Sequence, residues 1–463
     1  MKNKDLFRKI RCGGMGVNIS DWHLAKTISM LGQIGTISGT TLDRVLSRIL
    51  QNGDPGGHIR RAFLQFPFQV HVEKILKEYF IPGGIKKGAP YKAVPFFTIN
   101  PDPLLISLII CANYAFVYLA KEGHDNPISI NYLQKVSMSL IYAITGAMLA
   151  SVDEITIGAG IPIQIPKVIN DILQGNTLSY NITVIGKNIT TWTMTFDPKS
   201  FFGSTLSIMK KPRFIPIISS NLLALILMTK LPPESVWGFV VEEPSAGGHN
   251  APPKNKIDYG EKDVVNYSKI AELGLPFWIG GSKASPEGLQ WALSVGANGI
   301  QVGSIFAFCK ESGMDPIIRK QIQKFGYNNM LNIITDYRVS PTGYPFKVAS
   351  VPGSLSEKSV YESRVRKCNQ GGLISLYEKS DGTIDYRCAA EAVNVYVRKG
   401  GTLLDTNGRG CLCNGLLSTC GLGDYHEPPI ITIGDDYSFL HTLMKSDEDS
   451  YTAKDAINYL LAI

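Results

Sequence analysis

Short apolar runs recur along the chain with amphipathic stretches between them, the alternation that parallel βαβ units produce. The runs Phe7–Cys12, Ile34–Ser38, Ile128–Tyr132, Ile155–Gly158, Phe214–Ser219, Gly238–Glu242, Pro276–Gly280 and Gly299–Val302 predict strands. Asp21–Leu31, Thr41–Leu50, Pro286–Val295 and Asp315–Lys324 predict helices between them. Eight strands are the number that closes a (β/α)8 barrel. Leu104–Ala120 would make a ninth, so it is read as a helix covering the barrel.

Three stretches fall outside the repeat. Asn52–Asp102 is rich in Gly, Pro and aromatics and reads as an insertion after strand two, with Gly53–His58 a candidate lid over a site. Leu178–Asp197 alternates polar and apolar residues around Gly186-Lys187-Asn188, which reads as a β-hairpin. Asp336–Ile463 has its own turn at Ser380-Asp381-Gly382 and ends in an amphipathic helix near Thr452–Leu461. The expected organisation is an α/β (β/α)8 barrel over 1–335, interrupted at about 52–102, and an extra α+β accessory region over 336–463.

Composition narrows the class. With 44% hydrophobic and 18% charged residues over 463 positions, the chain can bury a core, which excludes a disordered or fibrous protein. The net charge of +7 comes without a run of five like charges, so no nucleic-acid arm is expected. The mild positive balance would suit an anionic cofactor. Met1–Gly14 mixes charged and apolar residues and lacks the apolar core of a signal peptide. The 18 uncharged residues between Asp102 and Lys121 approach the ~20 of a membrane span. Pro103 opens that stretch, Asn113 interrupts it and no second span accompanies it, so a buried helix, no membrane partner and a cytoplasmic location are expected.

The chemistry gathers at strand ends. Strand seven ends in Gly280-Gly281-Ser282, and strand eight in Gln301-Val302-Gly303-Ser304. In such barrels these two loops often bind phosphate, because glycines let backbone N–H groups approach closely. Gly13-Gly14-Met15-Gly16 follows strand one and would let a flat ligand lie on backbone, with Met15 as a soft neighbour. Ser245-Ala246-Gly247-Gly248-His249-Asn250 follows strand six, placing His249 where an acid or base would act near neutral pH. The other histidines have no comparable context. Eight cysteines are too few for a disulfide scaffold. Cys368, Cys388, Cys411 and Cys413 could supply four thiolates to zinc, but their spacings are wide and no Cys-x2-Cys knuckle is present, so free thiols and no metal are expected.

In this order, the four glycine-bearing motifs resemble the nitronate monooxygenase (2-nitropropane dioxygenase) family over roughly residues 7–50 and 125–325, most closely across Leu275–Asp315. The resemblance implies an FMN-dependent TIM barrel. By carry-over, Gly14, Met15 and Gly16 lie beside the reactive edge of the flavin, Asn131 hydrogen-bonds its ring, Gln301 sits below it, and Gly248 adjoins the cofactor. Gly280, Gly281, Gly303 and Ser304 hold the FMN phosphate, and His249 is the catalytic histidine. It either takes the proton from the carbon bearing a nitro group or orients a preformed nitronate. The implied reaction joins a small-molecule substrate with oxygen to give a carbonyl compound and nitrite. Where the family often has Glu-Ala-Gly-Gly-His-Arg, this chain has Ser245 and Asn250, a loss of two charges that should change substrate preference. Two other readings remain open. One is an FMN-dependent enoyl reductase using NAD(P)H, with a carrier protein docking on the accessory region. The other is a barrel that binds a phosphorylated ligand without turnover. A homo-oligomer is compatible with each.

Overall fold

The computed structural model describes residues 8–186, 188–208, 210–255 and 258–463. Phe7 of the first expected strand and Lys187 of the expected hairpin turn lie outside the described residues. The eight expected barrel strands all form, each within a few residues of its apolar run. They are β1 (Ile10–Cys12), β2 (Gly35–Ser38), β3 (Ile128–Leu133) and β4 (Glu154–Gly158), then, after the hairpin β5 (Leu178–Ile185) and β6 (Thr190–Phe196), β7 (Arg213–Ile218), β8 (Phe239–Glu242), β9 (Phe277–Gly280) and β10 (Gly299–Val302). They run parallel in the order β1-β10-β9-β8-β7-β4-β3-β2. The ring closes where the Cys12 N–H donates to Ile34 O at 2.9 Å and the Ile34 N–H to Ile10 O at 3.1 Å. The chain is therefore a (β/α)8 barrel.

Local chemistry sets the helix starts. Asp21 accepts from the Leu24 N–H, Ser285 from that of Gly288, and Asp315 from those of Ile317 and Ile318, while Pro286 and Pro316 sit in first turns. The apolar run forms a helix, Pro103–Lys121, capped by Asp102. By length and composition it could cross a membrane, but 83% of its most apolar window is buried in the protein. Asn113 does not break it: its Nδ2 donates to Ile109 O and its Oδ1 accepts from the Tyr132 hydroxyl at 2.8 Å.

The barrel interior is filled. Arg11 and Glu154 approach to 2.7 Å at 1% side-chain exposure each, and the Arg11 guanidinium lies 4.7 Å from the Trp278 ring centroid. The Trp278 indole donates to Arg8 O, so the lead-in to β1 seals this end.

The insertion forms two short helices, His58–Phe63 and Gln69–Tyr79, packed on the outer side of Pro103–Lys121. The expected hairpin is β5–β6. It is extended by β13 (Ser375–Glu378) and β14 (Ile384–Arg387) into a four-stranded sheet of order β14-β13-β5-β6, with the Ser380-Asp381-Gly382 turn between β13 and β14. A further hairpin, β11 (Asn332–Asp336) with β12 (Phe346–Ser350), touches the barrel mouth through an antiparallel bridge between Phe346 and His249. The last helix, Ala453–Leu461, returns to the outside of the barrel. Nearby, the Tyr451 hydroxyl donates to Ile305 O and the Ala453 N–H to the Glu311 carboxylate.

Candidate active site

Two joined chambers open at the C-terminal ends of the barrel strands. The first is lined by Gly14, Met15, Gly16, Asn131, Gly248, Gly280, Gly281, Gln301, Gly303 and Ser304, all ten positions singled out for a cofactor in the sequence. The second has His249 in its wall. Gly14, Gly16, Asn131, Glu242, Gly248 and Thr432 wall both.

The backbone explains why glycines stand here. A Cβ on Gly14 would lie 2.3 Å from the Asn131 Cβ, so only glycine lets β1 and β3 place the carboxamide against the chamber floor. The Met15 thioether packs over Gly303. The Ser304 hydroxyl accepts from the Gly434 N–H at 2.9 Å. Lys283, in the same wall, pairs with Glu243 at 2.6 Å. Backbone-lined space, a carboxamide, a soft thioether and an adjacent cation match a flat heteroaromatic with an anionic tail, so the residues present fit FMN.

The His249 loop is held from the accessory region. Gly248, at φ +82°, donates its N–H to Thr432 Oγ1 at 2.7 Å, and its carbonyl accepts from the Lys347 N–H. The Asn250 N–H donates to Pro345 O and its Nδ2 to Ala246 O. Asn250 is thus a loop brace. The imidazole lies edge-on to Phe346 at 4.9 Å, with Nε2 2.7 Å from Ser340 Oγ, which in turn meets Thr342 Oγ1. Nδ1 makes no hydrogen bond with the described residues. Burial pushes the His249 pKa down to about 3, and the charge of Lys135 adds to the effect. Lys135 is itself pushed down to about 7 by burial, and its ammonium sits 3.0 Å from the Tyr344 ring centroid without a hydrogen-bond partner.

Sequence reasoning missed several wall residues. Glu242 closes β8 between the two chambers, and desolvation pushes its carboxyl up to about 8, so it is mostly protonated near neutral pH. An acid at a strand end just before the His249 loop was a signal available in the sequence. Thr432, Leu416 and Ser340 carried none, because only the fold returns them to the barrel mouth. The lid expected at Gly53–His58 is a correction: no residue of 52–102 lines either chamber. Asp54 instead accepts from the Ile59 and Arg60 N–H groups and starts a helix on the barrel's flank, where His58 packs on Trp22. Residues beyond 335 cover the mouth. Cys368, Cys388, Cys411 and Cys413 do come together in one small cluster, although no described residues are arranged to hold a metal ion.

No family model matches the chain. Over 86 residues it is 31% identical to a probable nitronate monooxygenase of Bacillus subtilis, so the resemblance read from the motifs stands on a curated relative as well. That match takes in 18% of this chain and spans about a quarter, 24%, of the relative. Among solved structures, FabK from Thermotoga maritima overlays with a TM-score of 0.47 at 15% identity, covering 98% of this chain and 92% of that one. A nitroalkane oxidase from Streptomyces ansochromogenes overlays with a TM-score of 0.45 at 10% identity, covering 99% and 96%.

Proposed function

We propose that the chain is an FMN-dependent oxidoreductase that uses oxygen to convert nitronates to a carbonyl compound and nitrite. The observation that carries the reading is a neutral imidazole, braced at Nε2, in the wall of a chamber that continues into a glycine-lined one fitted to FMN. Gly14, Met15, Gly16, Asn131 and Gln301 would hold the flavin ring, with Gly248 beside it. Gly280, Gly281, Gly303 and Ser304 would hold its phosphate. FMN supplies the redox step and the reaction with oxygen when it is bound.

The protein's part is position and proton placement. With a pKa near 3, His249 is a weak base toward a carbon acid, which favours a preformed nitronate over a nitroalkane. The Nε2–Ser340 Oγ contact holds the ring, and in the tautomer in which the hydroxyl donates, Nδ1–H is left as a donor for the anion. Glu242, protonated, adds no competing negative charge. The alternative, an enoyl reductase using NAD(P)H, has one observation in its favour: Leu133, Val136, Phe346, Leu373 and Leu412 give the second chamber an apolar side that would suit an acyl chain. A carrier protein belongs to that alternative only.

The test is the absorbance spectrum of the purified protein, followed under anaerobic conditions. Bleaching of the flavin bands by a nitronate, with NADPH inert, is expected. Bleaching by NADPH alone would replace the proposal with the reductase. Absence of a flavin band and of FMN uptake would remove the cofactor reading.

A further inference from the structure

Glu242 stands in the wall of three cavities. It ends β8, in register with Gly280 of β9, and lines both chambers and a third, polar space. Ser219, Ser220, Asn250, Tyr259 and Asp263 help to wall that third cavity, which reaches the exposed residues Ala251 and Lys254. Walls of this polarity hold water. Among the described residues, Glu242 is the one carboxylate lining the second chamber, and its carboxyl has no hydrogen-bond or ion-pair partner. A desolvated carboxyl without a partner is costly, and its place between substrate space and solvent points to a function.

The ionisable groups around it are engaged. Glu243 is held by Tyr267 and Lys283, Asp263 by the Lys254 and Gly260 N–H groups, and Asp436 by Ser438. The Tyr259 hydroxyl donates to Ala251 O, the Lys254 ammonium to Lys262 O, and the Tyr132 hydroxyl to Asn113 Oδ1 and Ala143 O. Burial pushes the Cys413 thiol up to about 11, and His249 is neutral with Nε2 on Ser340.

We propose that Glu242 is the base that takes the α-proton from a neutral nitroalkane in the second chamber and returns it to solvent through the third cavity. The proposal rests on the oxidoreductase reading and adds a second substrate class to it. The Glu242 carboxylate takes the proton from the carbon that bears the nitro group. The C–H bond breaks, its electron pair moves into the nitro group, and a nitronate and a carboxylic acid result. No electron leaves the substrate in this step, so no oxidant is consumed. The acid then gives its proton to water in the third cavity, which restores the carboxylate. Charge favours the sequence: the carboxylate meets an uncharged substrate, and the anion forms beside a neutral acid. Lost solvation pushes the Glu242 carboxyl up to about 8, so its carboxylate is a far stronger base than His249 at about 3. His249 is left to orient the nitronate.

The test mixes the purified protein, FMN added, with nitroethane in heavy water without oxygen, and follows deuterium entering the α-carbon by NMR. Exchange faster than in buffer alone is expected, rising with pH through about 8. Glu242→Gln, close in shape, should lower it at least ~10²-fold, and His249→Ala by distinctly less, with folding checked by circular dichroism. The wild-type pH profile needs no variant. Exchange no faster than in buffer, a rate independent of pH through that range, or a His249→Ala loss as large as that of Glu242→Gln would overturn the proposal. Any of these with the flavin bands still bleached by a nitronate leaves the functional reading in place. Exchange through Glu242 without bleaching removes that reading and keeps Glu242 as the base.

Discussion

The ring of His249 and the carboxyl of Glu242 are both displaced from ordinary ionisation by the same cause, lost solvation, yet with opposite consequences. The imidazole is neutral throughout the physiological range, so its ionisation sets no limb of a pH profile there. Glu242 does set one. As pH rises through about 8, a negative charge appears between the two chambers, and an anionic substrate should bind more weakly. We expect the KM for a nitronate to rise through that range in the wild type, and Glu242→Gln to flatten the rise. Stability follows the same sign. A carboxyl raised from 4.5 to about 8 contributes fully below the lower value and loses its contribution as pH climbs to the upper one. Thermal melts should therefore show Glu242→Gln gaining on the wild type at alkaline pH and not at pH 5. For His249→Ala, the expected outcome is turnover reduced at least ~10²-fold with FMN retained, measured by steady-state rates and flavin absorbance. Unchanged turnover would show that the ring only braces the loop. Ser340→Ala should also lower kcat, by less, because it removes the hydrogen-bond partner that holds Nε2 while leaving the ring.

Between elements, the barrel is tied from inside by an ion pair that joins β1 to β4. Glu154 meets Arg11 at 2.7 Å and Arg213 at 3.3 Å, and its side chain is 1% exposed. Removing Glu154 leaves the buried Arg11 with only the Trp278 face beside its charge, so Glu154→Ala should cost about 3–5 kcal/mol in denaturant unfolding, and Arg11→Met combined with Glu154→Leu distinctly less. The eight strands themselves were legible because each is a short apolar run that ends at glycine or polar residues and is followed by a helix, with side-chain caps starting those after β1, β7, β8 and β9. The site followed from them, since glycines and His249 sit directly after strand ends. Pairing beyond the barrel was not legible. Leu376 in β13 joins Val184 in β5 across almost two hundred residues, and neither run carries a mark of its partner. The Asn52–Asp102 stretch misled for a related reason: glycines and prolines announce turns without saying which surface the turns cover. Asp54 and Gly53 turn the chain onto the flank of Pro103–Lys121, away from the mouth.

At the scale of the molecule, the residues after 335 complete the barrel. Ala349, Val351, Leu376, Leu417, Ile431 and Ile433 belong to the same continuous buried cluster as Ile10, Ile130 and Ile300. Thr432 and Leu416 wall both chambers, Ser340 orients the His249 ring, and the helix Ala453–Leu461 buries Ala453, Ala456, Ile457 and Leu460 on the barrel's outer side. A boundary at 335, reasonable from the end of the strand–helix repeat, therefore cuts through one hydrophobic core. Ending the chain there would expose the apolar undersides of the helices Trp22–Met30 and Pro286–Ser294, against which the last helix packs, and would open both chambers to water. Truncation to 1–335 is expected to abolish cooperative unfolding and FMN uptake together, read by circular dichroism melts and flavin fluorescence. A truncated chain that melts in one sharp transition and still takes up FMN would instead make the barrel self-sufficient. The accessory region would then act only on the substrate chamber, and its loss should appear in KM before it appears in stability.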